Sequence, residues 1–81
     1  MMTEEVKAKV REIIAEILEV EPDELEEDKD FEETYEADSL RKIEIVAKLE
    51  KALDITIPQT ELAKIRTLKA VYQIVGECMG A

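Results

Sequence analysis

Val6, Val10, Ile13, Ile14, Ile17 and Leu18 recur at steps close to three and four, the spacing that lines one face of an α-helix. Thr3 stands where an N-cap is wanted, and Glu4 and Glu5 fall in the first turn, where carboxylates meet the positive end of the helix dipole. The pattern predicts about four helical turns, ended before Pro22. Residues 19–37 then form a long acidic connection whose apolar anchors are Val20, Leu25, Phe31 and Tyr35. A connection of that length in a small domain tends to be functional or to hold short structure. Pro22–Leu25 is expected to turn, and Phe31 to enter the core.

The second predicted helix begins at Asp38 and Ser39, with Asp38 as N-cap. Ile43, Val46, Leu49 and Leu53 give it a stripe expected to be buried, widened by Ile45 and Ala52, while Arg41, Glu44, Lys48 and Lys51 share the opposite face. Ile55, Thr56 and Ile57 read locally as a strand, but a lone strand has no partner, so an extended loop ending at Pro58 is expected. A short third helix is predicted from Thr60 to Ile65. Thr67 caps a fourth, with Leu68, Val71, Tyr72 and Val75 on its apolar face. No repeat or low-complexity tract interrupts the pattern. The expected fold is all-α, a three-to-four-helix bundle with a long first loop, and one domain over residues 1–81.

Composition narrows the function more than the fold. Histidine is absent, which removes the commonest general base near neutral pH and the commonest metal ligand. Cys78 is the single cysteine, so no internal disulfide can close and no Cys/His zinc site can form; near the C-terminus it reads as a bystander thiol. An enzyme acting alone is therefore disfavoured, and no catalytic or metal-binding residue is assigned. The net charge of −10 opposes unaided nucleic-acid binding. Residues 1–38 hold sixteen acids against four bases, and residues 39–81 five against seven. No apolar run approaches a membrane span, and the residues from Met1 to Glu5 lack a basic-then-apolar leader, so a cytoplasmic location is expected.

Asp28, Asp30 and Glu32 alternate as calcium-loop ligands do, but Glu33 stands where that loop needs glycine and Ser39 where it needs a bidentate glutamate. A solvated acidic loop is the better reading. The Arg41, Glu44, Lys48 and Lys51 face has an ordinary explanation in intrahelical pairing; its position beside Ser39 also suits a docking surface. Ser39 itself admits two roles. It can share the capping of its helix with Asp38, or it can be a hydroxyl that another enzyme modifies, since a helix N-terminus favours an attached anionic phosphodiester. Spacing alone does not choose between them.

The run Ala37-Asp38-Ser39-Leu40, followed by Ile43-Glu44-Ile45-Val46, Leu49-Glu50 and Ile57-Pro58, resembles the acyl carrier protein family. Ala63-Lys64-Ile65-Arg66-Thr67, leading into the last helix, agrees, so the likeness covers essentially the whole chain. The resemblance implies that a phosphopantetheinyl transferase modifies Ser39, with coenzyme A as donor and magnesium as the transferase's own cofactor. The covalent cofactor would be 4'-phosphopantetheine, and its thiol, not Cys78, would carry the acyl chain. Asp38 matches the acid that assists the transferase. Leu40, Ile43, Glu44 and Ala47 match positions that partner enzymes touch, here joined by Arg41, Lys48 and Lys51. Further partners would be acyltransferase or ligase and synthase enzymes of the pathway. A cleft lined by Ile43, Val46, Ile57, Ile65 and Leu68 would shelter the chain. A free-standing monomer is expected behind Met1.

The departures from the family also carry information. Arg41 and Lys42 stand where fatty-acid carriers usually place acids, Lys48 and Lys51 follow, and Glu36 replaces a common glycine. Charge reversal on a docking helix changes recognition more than fold. It points to polyketide or hybrid secondary-metabolite biosynthesis, with a fatty-acid or aminoacyl carrier as the alternative. A reading of another class is a helical interaction module that is never modified.

Overall fold

The computed structural model describes residues 3–79. Met1 and Met2, on which the free-standing expectation and part of the leader argument rest, lie outside the described residues. Four α-helices follow in order: α1 (Glu4–Leu18), α2 (Phe31–Tyr35), α3 (Ser39–Leu53) and α4 (Leu68–Cys78), with 3-10 segments at Pro22–Glu24 and Gln59–Lys64. No strand occurs among the described residues, and Ile55–Ile57 lies in the irregular segment that leads to Pro58.

Each predicted cap is made. Thr3 Oγ1 accepts from Val6 N at 3.2 Å, and Thr67 Oγ1 from Ala70 N at 3.1 Å. The predicted third helix is the 3-10 segment Gln59–Lys64 rather than an α-turn from Thr60. α2 is an element that the apolar spacing does not predict. It forms because Asp30 Oδ1 accepts from Glu32 N and Glu33 N, at 2.8 and 3.2 Å, with both glutamates in the first turn. Glu36 ends it in the left-handed region at φ 55°, as Glu19 and Asp54 end α1 and α3 at 60° and 54°.

Val10, Ile14, Ile17 and Leu18 of α1 meet Ile45 and Leu49 of α3 and Leu68, Val71 and Val75 of α4 in one core, and Phe31 fills it from the first connection with no exposed surface. The expected stripe on α3 needs correction. Ile45 and Leu49 are the buried pair, Val46 and Leu53 are half-buried, Ala52 is exposed, and Ile43 is 51% exposed. The physical reason is that α3 packs mainly on α1, while the segment after it does not close over the flank that bears Ile43 and Val46.

The acidic connection is fastened at successive points, which explains how nineteen mostly polar residues stay ordered. Arg11 Nη1 donates to the carbonyls of Pro22 and Leu25 at 3.0 and 2.8 Å. Tyr35 Oη donates to Glu24 O and accepts from Glu26 N, both at 3.0 Å. Lys69 N donates to Glu27 O at 3.0 Å and Phe31 N to Arg66 O at 2.7 Å. Arg66 also reaches Asp30 Oδ2 through Nε at 3.1 Å. These contacts set the height at which the chain enters α3.

Candidate functional site at the start of α3

Ala37 is buried and its amide donates to Phe31 O at 3.0 Å, so the residues that follow emerge from a fixed point. Asp38 is extended, with ψ −176°, and its Oδ1 accepts from Arg41 N at 2.9 Å. The cap of α3 is therefore made by Asp38. Ser39 is the first helical residue and is exposed, which leaves its hydroxyl in solvent at a helix N-terminus. Of the two residues that spacing offered for the cap, Asp38 is the one whose side chain makes it.

A groove opens beside Ser39. Its first part, about 330 Å³, is lined by Ser39, Lys42, Gln59, Leu62 and Ala63. A second part of about 360 Å³ shares Gln59 and Leu62 and continues along α3 past Ile43, Val46 and Ala47 to Glu50, with Ile57 and Pro58 opposite. Of the expected cleft residues, Ile43, Val46 and Ile57 line it. Ile65 and Leu68 do not; they are buried in the core. Leu62, Gln59 and Glu50 were missed. No local signal separates Leu62 from Ile65, since a step of three places both on one face of a 3-10 turn.

The expected docking residues separate into two groups. Leu40 is 63% exposed and stands with Ile43 as an apolar pair beside Ser39; Glu44, Ala47 and Lys51 are also exposed. Arg41 is turned toward α1, where its guanidinium donates to Ile17 O and to Glu19 Oε2, the latter at 3.3 Å. Lys42 Nζ lies 3.0 Å from Glu32 of α2, and Lys48 Nζ 3.8 Å from Glu16 of α1. The expectation of intrahelical pairing on this face is thus corrected: Arg41 and Lys48 find their carboxylates on a neighbouring helix, because that side of α3 looks onto the end of α1.

Two titrating groups are displaced. The Glu33 amide is the largest influence holding Asp30 below its ordinary 3.8; burial opposes it, and the Glu32 amide and Arg66 add to it. Burial raises the Cys78 thiol, helped by Glu61, Glu77 and Glu50, which keeps it a poor nucleophile. Among the described residues no group of three His, Cys, Asp or Glu could hold a metal ion, and no helix is long and apolar enough to cross a membrane.

The family described as phosphopantetheine attachment site matches residues 8–75. Polyketide-8 synthase acyl carrier protein 1 of Streptomyces avermitilis is 45% identical over 71 residues, 88% of this chain and 84% of the relative. An acyl carrier protein of Rubrobacter xylanophilus is 38% identical over 77 residues, 95% of each chain. A chain in the solved structure of the ishigamide ketosynthase/chain length factor superposes with a TM-score of 0.81 at 33% identity, covering 98% of this chain and 100% of that one. The fold and these matches define a carrier protein: the chain belongs to the acyl carrier protein family, whose cofactor is covalently attached 4'-phosphopantetheine. It carries acyl groups as thioesters and works with synthase enzymes.

Proposed function

We propose that Ser39 is the attachment point of the phosphopantetheine and that the chain serves polyketide or related secondary-metabolite assembly. The observation that supports the attachment point most is the division of labour at the start of α3, where Asp38 takes the cap and Ser39 stays exposed at the mouth of the groove. The residues fit the group. An exposed hydroxyl can join a phosphodiester, the first-turn amides and helix dipole favour its negative charge, and the groove offers an apolar wall next to it. When bound, the group supplies the thiol that holds the acyl chain. The protein's own residues present that arm, shelter what it holds, and dock the arm's users through Leu40, Ile43, Glu44 and Ala47, with the nearby bases adjusting the fit.

The polyketide assignment is supported by the Streptomyces avermitilis relative and by the bases Arg41, Lys42, Lys48 and Lys51. No catalytic step is assigned to the chain; a transferase loads it and acyltransferase, ligase and synthase enzymes use it, with weak and reversible contacts. A single carrier domain, monomeric and cytoplasmic, completes the reading. Tethering raises the local concentration of the thioester at each partner.

The test is intact mass after incubation with coenzyme A, magnesium and a broad-specificity phosphopantetheinyl transferase. One phosphopantetheine added to the parent and none to Ser39→Ala is expected. Equal addition to both would move the attachment elsewhere. No addition to a well-folded parent would favour an unmodified interaction module.

A further inference from the structure

The deeper part of the groove has one ionisable lining residue, Glu50, which stands at the end farthest from Ser39. Its Oε2 accepts from Ile57 N at 2.7 Å, and its main-chain carbonyl accepts from Ile55 N at 3.2 Å. One residue of α3 thus fastens the extended segment that forms the opposite wall, and in doing so holds a carboxylate where the apolar lining of Ile43, Val46, Ile57 and Leu62 stops.

We propose that Glu50 determines which acyl chains the groove shelters, admitting short or distally hydroxylated chains and turning away long saturated ones. The inference rests on Ser39 bearing the arm and deepens that reading. From Ile43 to Glu50 α3 rises about 10 Å. A saturated chain, with bonds of ~1.5 Å in zigzag, fills that distance with roughly eight carbons. The next methylene must strip water from a carboxylate and returns no hydrogen bond. A hydroxyl at that depth donates to the carboxylate and is accepted.

The experiment uses the protein with its arm attached at Ser39, verified by mass, and loaded in turn with hexanoyl, dodecanoyl and ω-hydroxyoctanoyl groups. Thermal midpoints are compared with the unacylated form of the same variant, so a general loss of stability cancels. In the parent, dodecanoyl is expected to add nothing over hexanoyl, and ω-hydroxyoctanoyl to exceed both. In Glu50→Gln, which keeps an acceptor for Ile57 N without the charge, dodecanoyl is expected to gain roughly 5 °C or more over hexanoyl. The same order of midpoints in parent and variant overturns the proposal. A second readout needs no variant: nuclear Overhauser contacts from the dodecanoyl terminal methyl to Ile57 in the parent overturn it, and their absence, with contacts present from the hexanoyl methyl to Val46, supports it. A parent that takes up no arm fails at the mass step, before any chain is compared, and overturns the carrier reading together with this one.

Discussion

Truncating Phe31 to alanine tests how the first connection is held, and its size follows from the structure. The ring has no exposed surface and lies among the largest buried side chains. Its centroid is 6.4 Å from that of Tyr35, tilted by 54°, and its main chain joins Arg66 and Ala37 by hydrogen bonds. Phe→Ala in a core costs about 3–5 kcal/mol when the cavity cannot collapse, and here the ring belongs to the single core cluster that α1, α3 and α4 share. For 81 residues the whole stability is expected at roughly 4–12 kcal/mol. The loss is therefore about half of the total, and the midpoint should fall by about 15–25 °C. Circular dichroism at the helical band, followed through heat and urea, reads it directly, and Phe31→Leu should lose about a third as much. Because Phe31 sets where Ala37 and Asp38 emerge, the loading proposed at Ser39 should fall at 37 °C with the folded fraction and recover on cooling. A loss below about 1 kcal/mol, which is typical of a surface position, would refute the view that this ring anchors the connection.

Three other outcomes follow from the same geometry. Glu36→Gly relieves a left-handed backbone at φ 55° and should stabilise by about 0.5–1 kcal/mol, read as a higher urea midpoint at unchanged slope. Asp38→Ala removes the acceptor of Arg41 N and should cost about 1 kcal/mol; Ser39→Ala, by contrast, should be almost neutral for stability, and a comparable loss in that variant would show that the serine shares the cap. Asp30 is held below its ordinary value of 3.8 in the folded state. It therefore contributes stability above the unfolded-state value, near pH 4, and that contribution disappears as pH falls through the lower folded value. The stability difference between parent and Asp30→Asn should be full at neutral pH and shrink only below about pH 4; a difference independent of pH would sink this assignment.

The caps and helix spacings were legible in the sequence because they are local: Thr3, Asp38 and Thr67 each serve a backbone amide three residues on. Phe31 was legible as the largest apolar residue in a polar stretch. Two things were not. α2 depends on Asp30, whose carboxylate is shared between two amides and Arg66, thirty-six positions away, and no local pattern announces such a partner. The side chains of α3 were assigned to faces by periodicity alone, which gives the angle around the helix but not what lies opposite. Ile43 and Leu49 look equivalent as apolar positions. One borders an open groove and the other meets α1, and only tertiary packing distinguishes them. The same blindness placed Ile65 and Leu68 in the groove, one layer too far out.

The pairing of Arg41 with Glu19 and of Lys42 with Glu32 has a consequence for long-range attraction. A tally of residues makes the stretch after Ser39 slightly basic, but an approaching enzyme meets two charge pairs there rather than two free positive charges. The field of a pair falls off faster with distance than that of a single ion, and at physiological salt, with screening over about 8 Å, little of either base is felt beyond contact. What reaches further is the excess of carboxylates from the first half of the chain. The bases next to the serine are thus short-range reporters: they are sensed only by a partner already close enough to compete with Glu19 or Glu32 for them. Such a surface attracts positive charge of any kind from afar and can discriminate only over the last few ångströms.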